Sequence, residues 1–147
     1  MIPEVSAYFI ATIVAFTSAQ GIKYLLNQRA KTTGVVGWRQ LYMSGRMPSA
    51  HTATMFSLAT VVALRDGPES GLFAVTTVIA FITAYDAMMS RRSSGEQGMA
   101  LQKLLTLSPF SKDPLPYVAQ GHKPLEVLAG GVLGVLIGLV VGLSISV

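Results

Sequence analysis

The chain has 147 residues, about one domain's worth, of which 51% are hydrophobic and 12% charged, with a mean hydropathy of +0.53. That balance excludes an ordinary water-soluble globule. Eleven basic against seven acidic residues leave a net charge of +4. So apolar a chain has no broad polar face on which to cluster those bases, and the excess points to anionic lipid or phosphate and away from nucleic acid. No cysteine is present, which removes disulfides, thiolate metal sites and a cysteine nucleophile. The opening Met1-Ile2-Pro3-Glu4 carries an acid where a secretory signal carries bases, and reads as the start of a retained segment.

Four uncharged apolar stretches follow in chain order: Val5–Ile22, Ser49–Leu64, Ser70–Tyr85 and Val127–Val147. A membrane-crossing helix needs about 17–25 residues. The two middle stretches rise roughly 24 Å against a hydrocarbon core of ~30 Å, so they must borrow flanking residues, tilt, or begin inside a polar pocket. Ser49–Leu64 opens with Ser49, His51, Thr52 and Thr54, which fits the last of these. The segments Leu26–Pro48 and Arg91–Lys123 are basic, whereas Arg65–Glu69 holds one base and two acids. The positive-inside rule places the two long segments in the cytoplasm and both termini outside, in a protein integral to the cell membrane. Trp38, Tyr42 and Tyr117 fall in the basic segments, where interfacial aromatics are expected. Without a linker, low-complexity tract or internal repeat, residues 1–147 read as one all-α, four-helix membrane domain.

The costly polar residues gather at one end of that bundle. Lys23 closes the first stretch, Pro48-Ser49-Ala50-His51 opens the second, Asp86 with Arg91 and Arg92 closes the third, and His122 with Glu126 opens the fourth. Pro48 at a first helical position followed by Ser49 would leave first-turn amides facing an anion. Lys23, Arg91 and Arg92 supply charge and hydrogen bonds suited to phosphate oxygens. Of two histidines beside a phosphate, one can attack phosphorus as neutral imidazole while the other protonates the leaving alkoxide. Glu126 stands four residues after His122, within reach of one ring nitrogen, and Pro124 sets it in a first helical turn from which it reaches back as a capping-box acid does.

These residues resemble a known family. Gly45-Arg46-Met47-Pro48-Ser49-Ala50-His51, Tyr85-Asp86-Ala87 with Arg91-Arg92-Ser93-Ser94-Gly95-Glu96-Gln97, and Gly121-His122-Lys123-Pro124-Leu125-Glu126-Val127 look like the divergent branch of the type 2 phosphatidic acid phosphatase superfamily, small membrane proteins related to acid phosphatase and vanadium haloperoxidase. The resemblance runs from Gln20-Gly21-Ile22-Lys23 to the glycine-rich end. It implies a phosphatase-like helical bundle acting on a lipid phosphomonoester or pyrophosphate, with no metal or cofactor. Lys23, Ser49 and Arg91 or Arg92 would bind phosphate, His51 would act as the acid, His122 as the nucleophile and Glu126 as its orienting acid. Phosphatidylglycerol phosphate, phosphatidate and polyprenyl pyrophosphate are the implied substrates. The sequence departs from the superfamily in three respects: His122 follows Arg91 by about thirty residues where that gap is usually short, Glu126 replaces the usual Asp, and four spans replace six.

Each residue also has a plainer reading. His51 or His122 alone could serve only to hydrogen-bond a neighbouring helix. Asp86 reads as a local ion-pair partner of Arg91 or Arg92, and Glu96 as the same or as a metal ligand. A non-catalytic protein that binds anionic lipid headgroups needs the basic pocket but not two spaced imidazoles. Gly130, Gly134, Gly138 and Gly142 recur every four residues, a face that admits close approach of another helix, either within the chain or in a homodimer.

Overall fold

The computed structural model describes residues 5–30, 47–107, 115, 118 and 121–145. Among these there are five helices and no strand: α1 (Val5–Ala30), α2 (Ala50–Arg65), α3 (Gly71–Met88), α4 (Ser90–Thr106) and α5 (Pro124–Ser144). Trp38, Tyr42, Tyr117, Gly45, Arg46 and most of the Leu26–Pro48 segment lie outside the described residues.

α2 is the hub of the bundle, packed against α1, α3 and α5. Two stripes of small residues let its neighbours approach. On α1, Ala7, Ala11, Ala15 and Ala19 recur at intervals of four and are each 0% exposed. On α5 the glycine face lies along α2: a Cβ at Gly130 would sit 2.5 Å from the Ser49 carbonyl oxygen, one at Gly134 would strike the Ala53 carbonyl, and one at Gly138 would come within 2.8 Å of the Ser57 carbonyl. Leu64 closes the row opposite Gly142. The glycine groove is therefore filled by α2 of the same chain, the intrachain alternative left open by the sequence. The hydroxyl of Ser57 adds a hydrogen bond to the Ala11 carbonyl at 3.1 Å.

Side-chain ties fix the end of the bundle away from the site. Tyr8 donates to Asp66 at 2.7 Å, and Arg65 donates to the Ile145 carbonyl. Beyond α2, Gly67 adopts φ +88°, a left-handed conformation that glycine takes without Cβ strain. The chain then reverses at once into α3, whose N-cap Ser70 accepts from the Phe73 amide at 3.1 Å.

Two expectations are corrected and one helix is added. By length and apolarity three helices qualify as spans, α1, α3 and α5; α2, at 16 residues, falls short of that length, yet it carries the chain from the site end back to the opposite end of the bundle, where Asp66 meets Tyr8. α1 does not stop at Ile22 but continues to Ala30, because Lys23 and Asn27 extend the buried alanine stripe by two further turns, with 5% and 7% exposure. The basic segment Arg91–Lys123 also holds a helix not named from the sequence, α4, over its first half. The i,i+4 pair Arg92–Glu96 and the run Leu101-Gln102-Lys103-Leu104-Leu105 are the sequence signals for that helix.

Candidate functional site

The site end of the bundle joins the C-terminal part of α1, the N-termini of α2 and α5, and the junction between α3 and α4. Pro48 is not the first helical residue of α2. The N-cap is Ser49, 0% exposed, whose side chain accepts from the Thr52 amide, and helix geometry begins at Ala50. The Ser49 amide donates to the Glu126 carbonyl at 3.0 Å, locking the start of α2 to the start of α5. That amide is thus spent inside the protein, and the Thr52 amide on the Ser49 side chain. The hydroxyl of Thr52 donates to Ser49 Oγ at 2.9 Å. Ser49 therefore accepts from Thr52 and keeps its own O–H as a donor.

His122 is carried by a short extended segment before α5. Its amide donates to the Ala87 carbonyl at 3.0 Å, tying it to the end of α3. The preceding Gly121 presses on the backbone of α4, where a Cβ would lie 2.5 Å from Arg92 Cα, so only glycine fits. Pro124 occupies the first turn of α5, where its missing N–H costs nothing. Glu126 reaches back from that turn: its Oε2 receives the Lys123 amide at 3.2 Å and stands 3.0 Å from His122 Nδ1. The capping geometry read from the sequence is present, and it aims the carboxylate at one ring nitrogen.

Burial holds the His122 imidazole below its ordinary value of 6.5; the hydrogen bond it donates to Glu126 pulls in the other direction, and the positive charges of Lys23 and Arg91 add to the lowering. The ring is therefore neutral at pH 7. With Nδ1–H donated to Glu126, the lone pair lies on Nε2.

Lys23 is buried, and its ammonium is within electrostatic reach of Glu126. His51, exposed on the first turn of α2, feels the charges of Arg91, Lys23, His122 and Asp86. Those relations gather Lys23, His51, Arg91, His122 and Glu126 into one cluster drawn from four helices. The two arginines part company. Arg91 pairs with Asp86 at 2.8 Å and acts on both histidines. Arg92 pairs with Glu96 at 3.1 Å and lines, with His122 and Lys123, a cavity of about 210 Å³ beside the histidine. The ion-pair reading of Asp86 thus holds, and Glu96 is also an ion-pair partner. Sequence reasoning missed Thr52, the donor to Ser49, and Gly121, the docking point on α4. A Thr three residues after a capping Ser, and a Gly before His-Lys-Pro, were the available signals.

The structure is an all-helical bundle with membrane-length apolar helices and, at one end, a buried histidine–carboxylate pair within electrostatic reach of a lysine and an arginine. Residues 5–137 match the Divergent PAP2 family, and the chain belongs to it. It is 39% identical over 118 residues to the uncharacterized membrane protein YuiD of Bacillus subtilis (strain 168), an alignment covering 70% of this chain and 74% of that protein. No solved structure matches the chain.

Proposed function

We propose that the protein hydrolyses a phosphomonoester or pyrophosphate of a lipid at the membrane interface, through a phosphohistidine on His122. The observation that carries this reading is the His122–Glu126 hydrogen bond at 3.0 Å within a cluster that also holds Lys23, His51 and Arg91, with the Ser49 amide bonded to the Glu126 carbonyl. Nε2 of His122 attacks phosphorus in line with the lipid oxygen. The N–P bond forms as the P–O bond breaks, and His51, protonated once the bound phosphate's negative charge offsets the cations around it, gives its proton to the departing alkoxide. Lys23, Arg91 and the Ser49 hydroxyl hold the phosphoryl oxygens as charge spreads over them. Water, deprotonated by the now neutral His51, then attacks phosphorus, releasing phosphate and restoring the imidazole. The basic segments and the site face the cytoplasm in this reading.

The test is release of inorganic phosphate by purified protein from phosphatidylglycerol phosphate, phosphatidate and polyprenyl pyrophosphate, with and without His122→Ala. Release that depends on His122 is expected. Binding of the same lipids with no release by the wild type would instead favour a headgroup-binding protein.

A further inference from the structure

The bundle carries a second concavity, a groove of about 510 Å³ between α2, α3 and α5. Its near end is formed by Thr52, Met88 and Pro124, and its far end by Leu136. Thr52 turns its hydroxyl into Ser49, and Pro124 is two residues beyond His122, so the near end adjoins the site. From Pro124 to Leu136 the helix rises roughly 18 Å, slightly more than the ~15 Å depth of one leaflet's hydrocarbon.

Gly131 forms the floor of the groove with Phe56. At Gly130, Gly134 and Gly138 a Cβ would collide with backbone atoms of α2, so packing accounts for glycine there. Gly131 is different. A Cβ there would meet nothing nearer than the Phe56 ring at 3.8 Å, an ordinary contact, and its backbone is helical. Neither packing nor conformation requires glycine at this position; a methyl group fits beside the Phe56 ring, whereas a side chain as large as leucine would take up groove space. The lining is apolar apart from the Thr52 hydroxyl, which is turned into Ser49, and the groove follows α5 from the site end for about one leaflet's depth, which suits a hydrocarbon chain anchored at the site.

We propose that this groove seats one hydrocarbon tail of the lipid whose phosphate lies at His122, with Gly131 keeping its floor open. The headgroup half of this statement rests on the lipid-phosphatase reading; occupancy of the groove is tested separately. The bilayer already shelters the tail from water, so the groove adds little hydrophobic gain. Its effect is orientation: a tail held along α5 brings the phosphorus to Nε2 in a reactive pose.

The experiment uses the full chain in phosphatidylcholine nanodiscs with palmitoyl lysophosphatidate carrying a diazirine near the end of its chain. Irradiation is expected to label α5 around Leu136, unlabelled palmitoyl lysophosphatidate should compete the labelling away, and Gly131→Leu should reduce it about tenfold. Gly131→Ala, whose Cβ has room, is the graded variant that keeps the test valid if leucine disturbs folding, and it should give a smaller loss. In parallel, the kcat/KM ratio of palmitoyl over butanoyl substrate should fall about tenfold in Gly131→Leu. Labelling that neither competitor nor Gly131 substitution changes, or labelling that bridges to a second chain, overturns the proposal. Competed labelling with no phosphate release upholds the groove and removes the phosphatase reading. Phosphate release with no competed labelling does the reverse.

Discussion

The Oε2 atom of Glu126 receives the Lys123 amide at 3.2 Å and lies 3.0 Å from His122 Nδ1, so one oxygen both caps α5 and orients the imidazole. Glu126→Gln keeps an acceptor for the cap but removes the negative charge. Turnover is expected to fall about a hundredfold. The pH profile separates this from simple damage. His122 must be neutral to attack, so kcat/KM has an acid limb at its pKa, which lies below 6.5. Because Glu126 raises that pKa, its neutralisation should move the limb to lower pH even as the plateau drops. A limb that moves upward would contradict the assigned pairing.

The two histidines should respond differently to the leaving group. His122→Ala removes the nucleophile and should abolish turnover of every substrate. His51→Ala removes only the acid, so an aryl phosphate, whose leaving group needs no proton, should recover at least about tenfold relative to a lipid phosphate. Single-turnover rates on both substrates read this directly. Equal recovery in both variants would overturn the division of roles.

The glycines of α5 should split by what lies in front of them. Gly134→Ala drives a Cβ into the Ala53 carbonyl and should cost roughly 1–3 kcal/mol, lowering the thermal midpoint by several degrees in detergent. Gly131→Ala should leave the midpoint within about one degree or raise it, since alanine suits a helix better. Circular dichroism melts of the two variants check this; equal midpoints would mean that α2 does not fill the groove.

Membrane orientation is tested by single cysteines. An impermeant thiol reagent on intact cells should label a cysteine replacing Ser70 and leave one replacing Lys31 unlabelled. The reverse pattern would move both the basic segments and the site to the outer face.

The helices were legible where apolarity alone makes them, and the site where rare polar residues mark helix ends. Ser49, His51, Lys23, His122 and Glu126 stood out because a buried polar group in a membrane bundle requires a reason. The full length of α1 was hidden because Lys23 and Asn27 end the uncharged run while still facing inward. The choice between Arg91 and Arg92 was also beyond the sequence. Adjacent residues on a helix point about 100° apart, and in the fold both stay near the site, Arg91 acting on both histidines and Arg92 lining a cavity with His122. The partner of the glycine face was undetermined for a similar reason: a small-residue stripe states that something comes close, and only the fold shows α2 against it.

The most direct measurement is to quench a single turnover of radiolabelled lipid phosphate in alkali and map the label. The account predicts an acid-labile, alkali-stable phosphohistidine on His122 in the wild type. It should accumulate in His51→Ala with an aryl phosphate and be absent from His122→Ala. Phosphate release with no label on His122, or with label on another residue, would contradict it.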